Sequence, residues 1–256
     1  MSATIVRAEI DALVGFLPRI REVDPAEFDG ELHARLARID ETARRCPAER
    51  PALMKYCFDA CSPEMDRGQV LRHERNKPLG YPGDYLIIDW LLQNYIGDSG
   101  GEEWDLWFQR QDASKAVRNR RDYLSELFGT LAEASPSLSV LNLACGPCRD
   151  VCEAVRASSS KNGVLFHCID IDQRALDYAQ ALADEHGVSD MLRLERRNVM
   201  RLRPTTEYSL VWCSGLFDYL DDRQATFLLR RMWQMTCGGG GSLLSATSIR
   251  ATRRAS

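Results

Sequence analysis

The sequence predicts an α/β fold with a doubly wound, mostly parallel sheet and a helical cap at the amino-terminal end. Short apolar runs alternate with helical segments over residues 116–246, which is the pattern of strand–helix–strand units with right-handed crossovers. Residues 1–60 instead place apolar side chains at three- and four-residue steps, as amphipathic helices do. A segment rich in proline and glycine, residues 72–92, separates these two patterns.

The amino-terminal region is predicted to be helical, with one irregular stretch. Asp24 followed by Pro25 is typical of a helix start, because an N-cap residue precedes proline at the first helical position. The motif KPLGYPGDY, residues 77–85, lies in the irregular stretch, since its prolines and glycines disfavour regular structure. We therefore predict a helical cap domain over residues 1–115, followed by a second domain over residues 116–256.

The second domain is predicted to alternate strands and helices. Its apolar runs predict strands at 138–143, 164–169, 192–195, 208–213 and 242–246. Its amphipathic segments predict helices at 117–134, 150–156, 174–186 and 223–236.

The composition argues against several classes of protein. The net charge of the 256 residues is −4, and basic residues are interspersed with acidic ones, so no nucleic-acid surface is expected. No stretch approaches the roughly 20 apolar residues that span a bilayer, and the amino terminus lacks a signal-peptide core. We therefore predict a cytoplasmic protein without a membrane span.

The nine cysteines are predicted to be reduced and buried. An odd number of cysteines without an export signal disfavours a disulfide framework. Cys145, Cys148 and Cys152 form a C-x2-C-x3-C pattern, but no second ligand pair follows at matching spacing. Buried thiols are therefore favoured over a metal or cluster site, and we predict no metal.

The ends of the predicted strands carry the candidate binding residues, because ligands of open parallel sheets bind there. The first strand stops at LNLACGPCRD, where Gly146 opens a helix. The second strand ends at Asp170, whose carboxylate can accept hydrogen bonds from two ribose hydroxyls. Alternatively, Asp170 or Asp172 caps the next helix. We expect both roles, with Asp170 on the ribose and Asp172 at the cap.

The next two strand ends complete this set. The third crossing ends at RRNVM, where Asn198 can meet an adenine amino group and Val199 offers a backbone contact. The fourth strand ends at CSGLFDYL, residues 213–220, and this turn is predicted to line the reaction pocket. Four strand ends in this order are more specific than any one of them.

These segments resemble the successive motifs of class I S-adenosylmethionine-dependent methyltransferases. The resemblance includes LNLACGPCRD, CIDID with RALDYAQALA, RRNVM, and the CGGGGSLL turn into the fifth strand. KPLGYPGDY, CGPCRD and GLFDYLDDR are similar to a bacterial subgroup known for biosynthesis of an extracellular factor, 3-hydroxypalmitic acid methyl ester. The resemblance implies a Rossmann-like sheet and S-adenosylmethionine as the cofactor.

The resemblance also implies positions for the cofactor. It implies that Ala144, Cys145 and Gly146 contact the methionine end of the cofactor, that Asp170 contacts the ribose, and that Asn198 and Val199 contact the adenine. Ile171 and Cys213 are further cofactor-binding candidates. Ala144 and Cys148 stand where many methyltransferases have glycine, and Asn142 stands where an acidic residue is usual.

Methyl transfer to a small-molecule acceptor, such as a fatty-acid-like carboxylate, is the function that these residues favour. A carboxylate acceptor needs no base, whereas an amine or phenol would need one. The catalytic candidates are Tyr81, Asp84 and Tyr219. We hypothesise that residues 81–85 form a lid over the strand ends. A structural turn between two helices is the alternative.

Two other functions are weighed against methyl transfer. A nicotinamide-dependent oxidoreductase would use the same sheet, but its G-x-G-x-x-G turn is absent. A non-catalytic remnant that binds cofactor or a partner is the second, because the sequence ends shortly after the fifth strand with the polar tail SIRATRRAS. We expect a truncation or frameshift there, which would leave the fifth strand as an exposed edge.

Overall fold

The computed structural model describes residues 3–135, 137–158 and 163–236, together with the backbone of residues 242–246. Contacts between residues divide the chain into two compact units. The first unit contains residues 1–82 and 94–111, and the second contains residues 83–93 and 112–256. The sheet-bearing unit thus includes a short segment that precedes it in the chain. The prediction of two domains, residues 1–115 and residues 116–256, stays a prediction.

The helices, in chain order, are α1 (Ala3–Phe16), α2 (Pro25–Arg44), α3 (Arg50–Met65), α4 (Gln69–Asn76), α5 (Tyr85–Leu92), α6 (Glu102–Arg110), α7 (Asp112–Ala134), α8 (Arg149–Ala157), α9 (Gln173–His186) and α10 (Asp222–Gln234). The strands are β1 (Leu138–Leu143), β2 (Val164–Asp170), β3 (Leu192–Arg196), β4 (Leu210–Ser214) and β5 (Ser242–Ala246). Short 3-10 turns at Val199–Arg201 and Leu216–Tyr219 follow β3 and β4 respectively.

The helical start at Asp24 is confirmed. Its carboxylate accepts hydrogen bonds from the backbone N–H groups of Ala26, at 2.8 Å, and Glu27, at 3.3 Å. These bonds satisfy two donors that the first turn of α2 would otherwise leave unpaired.

The prediction of an irregular stretch from residue 72 was wrong for residues 72–76, which lie in α4. The reason is a cap supplied by a distant residue. Asp105, on α6, is fully buried and accepts hydrogen bonds from the N–H groups of Val70 and Leu71, at 2.9 and 3.1 Å. Because this cap comes from 35 residues away, local sequence gives no sign of it.

The aromatic residues around Trp104 pack in the core of the first unit. Trp104 is fully buried and meets Phe28 edge to face, with ring centroids 5.8 Å apart. Phe28 in turn stacks on Phe16 at 5.0 Å. These residues lie on α6, α2 and α1, so the aromatic cluster holds the helices of this unit together.

The second unit contains a parallel sheet of five strands in the order β3-β2-β1-β4-β5. This order confirms the predicted doubly wound, Rossmann-like α/β fold. The chain moves outward from β1 to β3, and then returns to add β4 on the other side of β1. The carboxyl ends of β1 and β4 therefore flank the topological switch point, where such sheets bind ligands.

Apolar side chains cover both faces of the sheet. On one face Val140 and Phe166 pack with Phe128 of α7 in a buried cluster. On the other face Leu141 and Val211 pack with residues of α10. Successive strand residues thus enter opposite cores, which explains why β4 is apolar up to its last residue and why β1 is apolar except at Ser139 and Asn142.

Helix α5 belongs to the sheet-bearing unit through a buried carboxylate. Asp89 is fully buried and accepts a hydrogen bond from Arg149 Nε at 2.5 Å and from the Tyr178 hydroxyl at 2.6 Å. Arg149 begins α8 and Tyr178 lies on α9. A buried ion pair that is also hydrogen-bonded fixes the position of α5 on these two helices.

Among the described residues, no helix combines the length and apolar character needed to cross a bilayer. The tail at residues 248–256, on which the predicted truncation depends, lies outside the described residues.

Candidate functional site

The ends of β1 and β2 are joined by the carboxylate of Asp170. Its Oδ2 accepts a hydrogen bond from the N–H of Gly146, and its Oδ1 accepts one from the N–H of Asp172, both at 2.9 Å. A carboxylate offers about four acceptor positions. Asp170 can therefore hold the turn after β1 and still accept hydrogen bonds from a ligand.

The turn after β1 has an unusual backbone. Ala144, Gly146 and Cys148 all have positive φ, at 53°, 55° and 55°. Only glycine adopts this left-handed region without steric cost. Ala144 and Cys148 thus hold the conformation that glycine would adopt more easily. No atom lies within 4 Å of the place where a side chain on Gly146 would begin, so the turn leaves open space beside Asp170.

Asp172 is the helix cap. Its Oδ1 accepts a hydrogen bond from the N–H of Arg174 at 3.0 Å, at the start of α9. The predicted cap at Asp172 is therefore confirmed, and Asp170 is left for another role. Contact of Asp170 with a ribose stays a prediction. Ile171, between the two carboxylates, is 62% exposed, although large apolar side chains are usually buried.

The end of β3 lies beside Asp170. The N–H of Arg197 donates to the Asp170 carbonyl at 2.9 Å. Asn198 then begins a 3-10 turn, where its Oδ1 accepts a hydrogen bond from the N–H of Met200 at 2.9 Å. Val199, the first residue of this turn, is buried. The structure thus brings Asn198 and Val199 to the same edge of the sheet as Asp170, and their contact with adenine stays a prediction.

Arg120, on α7, lies at the end of β4, and sequence reasoning missed it. A side chain added at Gly215, the residue after β4, would come within 3.8 Å of Arg120 Nη1. Asp218 Oδ2 is 3.9 Å from the same nitrogen. Arg120 falls on the apolar stripe of its helix, four and eight residues before the buried Leu124 and Phe128. An arginine in an apolar stripe was the available signal.

Gly83, in the segment KPLGYPGDY, lies at the same end of the sheet. Gly83 has a φ of +64°, and a Cβ at this position would lie 2.3 Å from the Tyr219 hydroxyl oxygen. Tyr219 itself is 55% exposed. Gly83 therefore lies against the turn that follows β4, where the reaction pocket was predicted.

The other two catalytic candidates have different surroundings. Asp84 is buried, and its Oδ1 accepts hydrogen bonds from the N–H groups of Leu86 and Ile87, both at 3.0 Å. It is therefore the N-cap of α5. Tyr81 belongs to the first unit. The catalytic roles of Tyr81, Asp84 and Tyr219, and closure of residues 81–85 as a lid, stay predictions.

The cysteines near the site are buried. Cys145, Cys148 and Cys168 are all buried in the apolar cluster on one face of the sheet. The side chain of Cys145 thus lies in the core, which leaves its backbone for the predicted cofactor contact. Burial raises the pKa of the Cys213 thiol to about 12. No group of three or more ligand side chains in the described ranges could hold a metal ion.

Asp150 is a second charged residue that sequence reasoning missed. It follows the turn after β1, and burial raises the pKa of its carboxyl to about 6. Its Oδ1 accepts a hydrogen bond from the N–H of Val151 at 2.9 Å, which opposes this shift by stabilising the charged form.

Comparison with known families gives one match. Residues 140–240 match the model of a methyltransferase domain. This segment runs from the middle of β1 to just before β5, and so contains all four strand ends described above. The match therefore supports methyl transfer as the general reaction. A search of curated proteins found no match.

Among the solved structures that match this chain, one with a TM-score above 0.5 shares its fold. A possible exported protein from Bordetella parapertussis has 22% identity and a TM-score of 0.60, and the match covers 96% of this chain and 71% of that one. A methyltransferase from Thiobacillus denitrificans bound to S-adenosylhomocysteine has 21% identity and a TM-score of 0.37, with 47% of each chain covered. A methyltransferase from Agrobacterium tumefaciens has 18% identity and a TM-score of 0.43, with 51% of this chain and 46% of that one covered. The chain thus spans less than half of each methyltransferase. Its second unit has a Rossmann-like sheet, within which residues 140–240 match a methyltransferase domain.

Proposed function

We propose that this chain is an S-adenosylmethionine-dependent methyltransferase that acts on a small-molecule acceptor, such as a fatty-acid-like carboxylate, in the cytoplasm. The observation that carries the proposal is the position of Asp170. Its carboxylate joins the ends of β1 and β2, within the segment that matches a methyltransferase domain. The absence of a G-x-G-x-x-G turn disfavours a nicotinamide cofactor.

The residues at the strand ends fit an adenosine-containing cofactor. Asp170 keeps acceptor positions for the two ribose hydroxyls. The exposed Ile171 offers an apolar surface for the adenine ring, and Asn198 lies on the neighbouring strand end. Open space at Gly146 allows close approach of the methionine end. Three features of the structure thus match three parts of one ligand.

When bound, the cofactor supplies an electrophilic methyl carbon, and transfer breaks its bond to sulfur as the bond to the acceptor forms. The work left to the protein is mainly positioning and exclusion of water. Asp170 and the turn at 144–148 would hold the donor, and the turn after β4 would hold the acceptor. For a carboxylate acceptor the oxygen is already ionised, so no residue needs to remove a proton.

Calorimetry tests the cofactor directly. We expect S-adenosylhomocysteine to bind the chain and NADH not to bind. Absence of S-adenosylhomocysteine binding would overturn the proposal, and NADH binding would favour an oxidoreductase. Incubation with radiolabelled S-adenosylmethionine and octanoate then tests turnover, since label should move into a neutral, extractable ester. A chain that binds S-adenosylhomocysteine but transfers no label to any carboxylate would be a cofactor-binding protein without this activity.

A further inference from the structure

Arg120 is a buried cation with unused hydrogen-bond donors. Its side chain is 14% exposed, and burial lowers the pKa of its guanidinium. Its Nε and Nη1 atoms are closed to solvent and have no hydrogen-bond partner among the described residues. Buried charges in proteins are normally paired and hydrogen-bonded, because leaving them unpaired costs several kcal/mol. The part of the chain that the structure describes therefore supplies no hydrogen-bond acceptor for Nε and Nη1, and an external anion could supply one.

The nearest carboxylate does not supply the missing bonds. Asp218 Oδ2 is 3.9 Å from Arg120 Nη1, which is too far for a hydrogen bond. Asp150 interacts with Arg120 only through its charge. These two acids offset part of the positive charge and leave Nε and Nη1 without a hydrogen-bond acceptor among the described residues. A guanidinium edge matches the two oxygens of a carboxylate or sulfate group.

Arg120 lies at the carboxyl end of β4, and open parallel sheets bind their ligands at the carboxyl ends of their strands. Its Nη1 and Nη2 atoms lie 3.8 and 3.9 Å from the place where a side chain on Gly215 would begin. Gly215 follows β4 directly, with a φ of +91°. β4 is adjacent to β1, so this turn flanks the switch point of the sheet. Tyr219, in the 3-10 turn that follows, is exposed.

We propose that Arg120 binds an anionic group of the acceptor, a carboxylate or a sulfate, at the end of β4. This inference rests on the proposed function, because it places the acceptor beside a methyl donor held at Asp170. It adds a specific residue that selects ionised acceptors over neutral ones of the same shape. A buried guanidinium discriminates strongly in this way, since a neutral ligand would leave its donors unpaired.

Binding of an octyl series to the whole chain tests the inference. Octanoate and octyl sulfate share an anionic group, whereas octanol has the same chain length and no charge. We expect both anions to bind at least about tenfold more tightly than octanol, because a hydrogen bond to a charged group contributes about 1.5–3 kcal/mol. A difference between octanoate and octyl sulfate would show which of the two oxygen arrangements fits better. Equal binding of octanoate and octanol would overturn the inference.

Variants assign the preference to Arg120. Arg120→Gln should bind octanoate and octanol equally, and Arg120→Lys should keep part of the preference, because lysine retains the charge without the planar pair of donors. Lys115→Gln is the matched control, since Lys115 is an exposed cation on the same helix, with 54% of its side chain exposed. If Arg120→Gln or Arg120→Lys binds octanoate over octanol as strongly as the wild type, Arg120 is not the site.

A spectroscopic readout covers the case in which Arg120→Gln does not fold. Octanoate should shift one arginine Nε–H resonance of the wild-type chain, and that resonance should be missing from Arg120→Lys. If octanoate shifts no such resonance, or shifts one that Arg120→Lys retains, the inference is wrong. S-adenosylhomocysteine binding, measured in parallel, reports separately on the proposed function. A chain that binds S-adenosylhomocysteine and shows no anion preference would contradict only the inference about Arg120.

Discussion

The carboxylate of Asp170 and the backbone N–H of Gly146 are joined by a hydrogen bond of 2.9 Å. This bond connects the end of one strand to the turn that follows its neighbour. It therefore couples the predicted ribose-binding residue to the shape of the turn beside it. A substitution that moves one of these two residues should therefore also change the position of the other.

Asp170→Asn should weaken S-adenosylhomocysteine binding at least about tenfold, because the amide replaces one acceptor with a donor and charge-assisted bonds contribute about 1.5–3 kcal/mol. Calorimetry measures the effect. Asp172→Asn is the control: Asn is as good an N-cap as Asp, so α9 and the affinity should be preserved. Wild-type affinity in Asp170→Asn would contradict the ribose contact.

Ala144→Gly should stabilise the chain, and Gly146→Ala should destabilise it. Both residues have positive φ, at 53° and 55°, where a side chain costs about 1–2 kcal/mol. Part of the stability gained by removing the side chain is lost again, because glycine raises the conformational entropy of the unfolded chain. We expect shifts of opposite sign, each of about 1 kcal/mol, in the free energy of unfolding by urea. Shifts of the same sign would show that neighbouring contacts, and not φ, dominate at this turn.

Gly83→Ala should destabilise the chain because the new Cβ would lie 2.3 Å from the Tyr219 hydroxyl oxygen. Adding Tyr219→Phe removes that oxygen, and the next ring atom is 3.5 Å away. The double variant should therefore recover part of the loss, with a coupling energy of about 1 kcal/mol. The free energy of unfolding by urea of both single variants and the double variant measures this coupling. Strictly additive effects would mean that Tyr219 moves aside without cost.

Asp150→Asn should change how stability depends on pH. Burial raises the pKa of Asp150 in the folded chain to about 6, from an ordinary value of 3.8. Because the folded chain holds this proton more tightly than the unfolded chain, the contribution of Asp150 to stability falls as pH rises from about 4 to about 6 and is constant above.

The variant lacks this titration. Its stability relative to the wild type should therefore rise across the same window, by an amount on the order of 2 kcal/mol. Urea unfolding between pH 4 and pH 8 measures the difference, with the exposed Asp177→Asn as a control for loss of charge. A difference that does not change with pH would argue against a raised pKa at Asp150.

The sheet could be predicted closely because its signal is local. β1 and β5 have the predicted bounds, and β2 and β3 each end one residue beyond them. β1, β2 and β5 are mainly apolar runs, whereas β3 alternates leucine with charged residues, and both patterns are visible within a few positions. The cap at Asp172 could be predicted for a similar reason, since this residue follows a strand and precedes a helix.

The features that sequence reasoning missed depend on tertiary partners. Helix α4 begins where Asp105 caps it from another helix. Asp89 looks like an ordinary residue of an apolar helix until Arg149 and Tyr178 meet it. The importance of Arg120 lies in the donors that it leaves unpaired, and these cannot be counted before the neighbours are known. Pairings of this kind have no short-range signature in a single sequence.

The place of α5 in the sheet-bearing unit affects how the chain can be divided. A fragment that starts at residue 112, just after the last crossing between the units, would leave Asp89 behind. Arg149 and Tyr178 would then lose the acidic partner that they share. Such a fragment would carry every strand and still lack one piece of its own interior. A fragment meant to contain the whole second unit should therefore include residues 83–93 together with residues 112–256.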